Sequence, residues 1–220
     1  MAEEQQKPNL EELDATKSLI EKQIATNNTF EVVNYLSPRL IELKGFNKVV
    51  SLVSVIDYYG FLRVGQKVEN VPGLSDFAKE VDNELKNILK PGTKISLQTM
   101  PDSYYYDDKA IRAYNEKEID VIAYLNNKPV QELLVEKGLV IFNNSESFRL
   151  DDVFLSKGEI DRTLSEVLRS SEILAAADKK GFWQDKYSFY DFKSRVIGNL
   201  NKTFDGNKTV LNEKVKQINQ

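Results

Sequence analysis

The sequence predicts an α+β domain built on five β-strands. Three observations carry this. Three short runs rich in β-branched residues follow one another with turn residues between them. An amphipathic helix separates the third run from the fourth. Helical stretches follow the fifth. The first runs are Phe30 to Asn34, Arg39 to Leu43 and Lys48 to Ile56, with Ser37-Pro38 and Gly45-Phe46-Asn47 as the turns of a meander. A loop then leads to Pro72-Gly73. Ser75 is placed to cap a helix from Asp76 to Leu89, whose residues Phe77, Val81, Leu85, Ile88 and Leu89 share one face. Lys90-Pro91-Gly92 stops it. Lys94 to Gln98 is the fourth strand and Asp120 to Leu125 the fifth, with a tyrosine-rich loop, Ser103 to Tyr114, between them.

Asn126-Asn127 turns the chain into a helix over Val130 to Lys137, closed by Gly138. Leu139 to Phe142 is short and apolar. A longer helix spans Glu159 to Lys180 and ends at Gly181-Phe182-Trp183, and Tyr187 to Asn199 reads as one more. Before the first strand, Leu10 to Thr26 has a loose helical spacing of apolar residues, stopped by Asn27-Asn28. Three strands, a helix, two strands and then helices is the order of a five-stranded OB-type β-barrel with three helices. The expected organisation is an N-terminal helical extension (1–28), the barrel domain (29–184), and a C-terminal helix with a polar, extended tail (185–220).

Composition narrows the chemistry. The 220 residues include no Cys and no His. Disulfides, zinc-thiolate sites, cysteine nucleophiles and histidine general bases are therefore excluded. The net charge of -4 shows no global basic face for nucleic acid. A local one, Lys193, Arg195, Lys202, Lys208, Lys214 and Lys216, is diluted by Asp205 and Glu213 and reads first as a solvated segment. No apolar run is long enough for a membrane helix. The acidic, polar start, Met1 to Pro8, resembles neither a secretory signal nor a transit peptide, so the expected location is intracellular, cytosol or mitochondrion.

Three segments resemble the staphylococcal nuclease-like (thermonuclease-like) family. Asn127-Lys128-Pro129-Val130-Gln131-Glu132-Leu133-Leu134-Val135-Glu136-Lys137-Gly138-Leu139 is similar to its hairpin-then-helix signature, in which a Val, an amide-Glu pair, a Leu-Val and a Gly-Leu recur. Ser171 to Trp183 is similar to its terminal helix, ending in a basic pair, Gly, an apolar residue and Trp. Ser51 to Asp57 is similar to its apolar strand ending in a metal-binding Asp. The resemblance implies an OB-type fold. In active members it implies phosphodiester hydrolysis with calcium, a water-orienting carboxylate and two arginines on the phosphate. Calcium needs six to eight hard oxygens, and guanidinium forks offset the charge gathered on the phosphate.

This chain departs from that pattern. The metal-binding Asp matches Asp57. The family's first Arg falls on Leu52, its general-base Glu on Gly60, and its acidic turn near Leu36-Ser37-Pro38. The second Arg falls on or near Arg112. Asp57 and Arg112 are thus vestigial, and the expectation is no catalysis, no bound metal and no cofactor. Binding roles fall to Tyr104, Tyr105 and Tyr106, and to the aromatic cluster Phe189, Tyr190 and Phe192. Tyrosines of this kind suit stacking on single-stranded bases or a protein interface; the acidic neighbours Asp102, Asp107 and Asp108 favour the second. The expected function is a structural or scaffolding subunit whose partners are other protein subunits. The alternatives are a module for single-stranded nucleic acid and, behind it, a calcium-dependent nuclease.

Overall fold

In a computed structural model, residues 29–61, 67–100, 118–143 and 163–187 are described, together with the helical residues Lys22 and Ile24. The fold is α+β. Eight strands, β1 (Phe30–Ser37), β2 (Leu40–Leu43), β3 (Val49–Leu52), β4 (Val55–Ile56), β5 (Lys94–Thr99), β6 (Glu118–Leu125), β7 (Lys128–Pro129) and β8 (Ile141–Phe142), accompany three helices among the described residues. The helices are α1 (Leu74–Ile88), α2 (Val130–Glu136) and α3 (Leu164–Ala177).

Six strands form one sheet in the order β3-β2-β1-β5-β6-β7. All its neighbours are antiparallel, and β3 in addition runs parallel to β6, pairing Val49 with Glu118 through Leu52 with Val121. The β1–β2 register shifts between Val32 and Asn34 and again between Tyr35 and Ser37. Such irregularities increase the local twist and bend a strand. The inner positions of these strands, Val32, Ile41, Val50, Leu52, Ile95, Val121 and Ala123, are buried in a continuous core.

Lys48 to Ile56 is not one strand. The chain turns at Val53-Ser54, with Ser54 at φ 63°, and leaves the main sheet. β4 then pairs with β8 as a separate two-stranded sheet, Val55 with Phe142 and Ile56 with Ile141. Asn126 and Asn127 both adopt positive φ (52° and 66°), the geometry of a tight two-residue hairpin, so a short β7 precedes α2.

Helix α1 starts at Leu74 rather than Asp76. Gly73, at φ 78°, precedes it and Ser75 lies inside its first turn, so Ser75 does not cap it. Its face of Phe77, Val81, Leu85 and the following Leu89 is fully buried, as the spacing predicts. Helix α3 starts later than Glu159. Thr163 caps it by accepting the Glu166 N–H while the Glu166 carboxylate accepts the Thr163 N–H. This reciprocal pair satisfies two orphan donors and sets the helix start. The helix ends at Ala177, with Lys179 at φ 53°. Phe182 and Trp183 pack into the core, and Tyr187 is buried with them, beyond the anticipated boundary at 184. Ile24, in the predicted N-terminal helix, packs on the same core. No helix of the described residues is long and apolar enough to cross a membrane.

Candidate functional site

The strand end that the sequence singles out is built by two local devices. The Leu52 N–H donates to the Arg39 carbonyl at 2.9 Å, which brings the Ser37-Pro38-Arg39 turn beside the end of β3. In that turn the Ser37 Oγ accepts the Arg39 N–H at 3.2 Å. After β4, a 3-10 turn over Tyr58–Phe61 follows Asp57.

Asp57 is 7% exposed. Its Oδ1 accepts the backbone N–H groups of Tyr59 at 3.1 Å and Gly60 at 3.4 Å, and its carbonyl accepts Gly60 as well at 2.9 Å. A short carboxylate directed at successive N–H groups is a capping arrangement, favoured by the donors that open any helical turn. Leu52 is fully buried. At Gly60, a Cβ would lie 2.3 Å from the Ile56 Cγ2, so a side chain there has to displace a β-branched neighbour. Among the described residues no group of three or more carboxylates could hold a metal ion.

The aromatic residues beside Asp57 form a packed step. The Tyr58 and Tyr59 rings lie 4.6 Å apart, and Tyr58 meets Phe77 of α1 edge-on at 6.5 Å. Burial, then the hydrogen bond with Tyr59 and the nearby charges of Asp82 and Asp57, hold the Tyr58 phenol well above its ordinary pKa. It stays protonated and serves packing. Tyr59 is 48% exposed and presents a ring at the surface of this turn.

Of the other residues anticipated from sequence, Arg112, Tyr104, Tyr105, Tyr106, Phe189, Tyr190 and Phe192 lie outside the described residues. So do Asp102, Asp107 and Asp108.

Three polar positions that sequence reasoning passes over are structural keystones. Gln131, fully buried on α2, donates from Nε2 to the Val121 carbonyl at 2.9 Å and accepts the Ala123 N–H at 3.4 Å. Glu172, on α3, accepts the Phe142 N–H at 2.9 Å. Glu80, on α1, receives Gln184, Lys186 and Tyr187. Gln131 and Glu172 both sit inside the family-like segments, the one signal in the sequence that points to them. Their burial leaves no local trace, because it depends on where the helices dock. No family model and no curated protein matches the chain.

Proposed function

We propose that this chain is a non-catalytic, staphylococcal nuclease-like domain that serves as a structural subunit of a protein assembly. The pairings support an OB-type barrel: they run β1–β2–β3–β6–β5 and return to β1, with the parallel β3–β6 ladder as the closing seam. The observation that carries the functional reading is the state of Asp57. Its carboxylate is used to cap its own turn. The neighbouring positions that would supply further charge hold Leu52, Gly60 and Pro38. One capping carboxylate falls short of the six to eight oxygens calcium takes, and no guanidinium stands at position 52 to offset charge on a phosphate.

Two measurements test the reading. Calorimetry on the full chain should give no calcium isotherm in the micromolar range, and a calcium-dependent plasmid-nicking assay should show no activity that Asp57→Ala removes. Affinity purification from native cells should recover a fixed set of protein subunits that survives nuclease treatment. Micromolar calcium binding would overturn the reading, and nicking lost in Asp57→Ala would make the chain an enzyme. Salt-sensitive binding of an oligonucleotide, with partners lost on nuclease treatment, would make it a nucleic-acid module instead.

A further inference from the structure

The buried carboxyl of Glu172 lies at the joint between α3 and the small β4–β8 sheet. The residue is 1% exposed, and its Oε1 accepts the Phe142 N–H at 2.9 Å. Phe142 pairs with Val55, and the next residue, Asn143, donates to the Ser54 carbonyl at 2.8 Å. One side chain of α3 thus holds β8, and β8 holds the segment Ser54 to Ile56 that leads into the Asp57 turn.

The surroundings offer little to an ionised carboxylate. Leu168 and Ala175, one turn to either side on α3, are fully buried, as is Leu134 of α2, which packs on α3. β8 brings only Ile141 and Phe142. On α2, Glu132 and Glu136 pair with Lys128. On and beyond α3, Glu166 is held by the Thr163 cap and Lys180 pairs with Asp178. Arg169, one turn before Glu172, forms no ion pair with it among the described residues, and its Nε is buried without a hydrogen-bond partner. Asp57, at the far end of β4, caps its own turn.

We propose that Glu172 is a proton-operated latch, which fastens α3 to β8 and the Asp57-bearing segment when protonated and loosens that corner when it ionises. A neutral carboxyl accepts the Phe142 N–H through its carbonyl oxygen without leaving a charge dry. A carboxylate accepts the same bond more strongly, but one N–H does not replace the hydration a full charge loses on burial. Burial pushes the carboxyl from its ordinary 4.5 up to about 7, against the lowering effect of the Phe142 hydrogen bond. The proton is therefore bound more tightly in the closed corner than in the opened one. The latch is fully fastened below 4.5 and weakens as pH rises through 7. Between those values local opening increases toward roughly tenfold per pH unit, then levels off.

Carboxyl-carbon NMR on the full chain reads the titration of Glu172, and amide exchange at Phe142 and Asn143, corrected for intrinsic rate, reads the opening. Glu172 should titrate near neutrality. Opening at both amides should rise at least about tenfold between mildly acidic and neutral pH in the native chain. It should be flat with pH in Glu172→Gln, which keeps an oxygen for the Phe142 N–H but cannot ionise. A hydrogen bond of purely structural importance would leave this profile unchanged by the substitution. A Glu172 midpoint at the ordinary carboxylate value, or the same exchange profile in Glu172→Gln, overturns the latch. If that variant fails to fold, the titration of the native chain decides alone.

Discussion

The backbones of Gly138 and Gly181 lie in direct contact. A Cβ on Gly138 would sit 2.4 Å from the Lys180 carbonyl oxygen, and one on Gly181 would sit 2.4 Å from the Gly138 carbonyl oxygen. The Phe182 N–H donates to that same Gly138 oxygen at 2.8 Å. Both glycines have positive φ, 66° and 47°. The ends of α2 and α3 are thus joined backbone to backbone, and this joint lets Phe182 and Trp183 enter the core.

Gly138→Ala and Gly181→Ala are each expected to lower unfolding free energy by about 2–4 kcal/mol, the sum of left-handed strain and overpacking against backbone that has no room to yield. Urea denaturation measures this. Gly45→Ala is the control. Gly45 has φ 72° but nothing within 4 Å of a Cβ, so only the strain, about 1–2 kcal/mol, remains. Equal losses at Gly45 and Gly138 would show that the contact contributes nothing.

Gln131→Leu keeps the volume roughly constant and removes both hydrogen bonds. The Val121 carbonyl retains the Val53 N–H at 3.2 Å. The Ala123 N–H loses its Gln131 acceptor in a buried site. The expected cost is about 1–3 kcal/mol, the penalty for one orphaned buried donor. Thermal unfolding reads it, and an unchanged midpoint would mean that Ala123 finds another acceptor.

Asp57→Ala should destabilise the chain by about 0.5–2 kcal/mol, the ordinary cost of a lost cap. Asp57→Asn keeps an oxygen for the Tyr59 and Gly60 N–H groups and should recover most of that loss. Chemical denaturation in the presence and absence of calcium should give the same ranking in both. A metal ligand would behave otherwise, since Asn removes the charge and calcium would then stabilise only the native chain.

Glu80 fastens the chain after Trp183 to α1. Burial raises the pKa of its carboxyl, but hydrogen bonds from Tyr187, Lys186 and Gln184 and the Lys186 charge outweigh burial and hold it below the ordinary 4.5. A lowered carboxylate pKa contributes stability that is present above the unfolded value and lost as pH falls through the folded one. Opening at the Tyr187 amide, whose N–H donates to the Gln184 carbonyl at 3.2 Å, read by exchange corrected for intrinsic rate, should increase below about pH 4.5. Glu80→Gln should show the faster exchange already at neutral pH, with Gly138 unaffected.

Several elements are legible in the order of the amino acids. The buried face of α1, the strands of the main sheet and the Gly138 stop follow from local periodicity and turn chemistry, which act over a few residues. The break at Ser54 is not legible in this way. Lys48 to Ile56 is mostly apolar and β-branched, and only the partner strand β8, far along the chain, pulls its second half out of the sheet. Ser favours a capping position, which points to Ser75, yet the close packing of Leu74 in the core draws the helix start two residues earlier. Capping worth about 1 kcal/mol gives way to burial of a leucine, worth about 1.5–3 kcal/mol.

The candidate site divides along the same line. Residue identity settles which charges stand at Asp57, Leu52, Gly60 and Pro38, because the presence or absence of a carboxylate is a property of the residue alone. What Asp57 does with its oxygen, and which ordinary-looking polar residues become buried keystones, follows from the folded chain. Hydration is lost, and a pKa moved, only when separate elements meet around a group. For Glu172 and Glu80 those elements lie far apart in the chain, and for Gln131 they are the neighbouring β6 and α2.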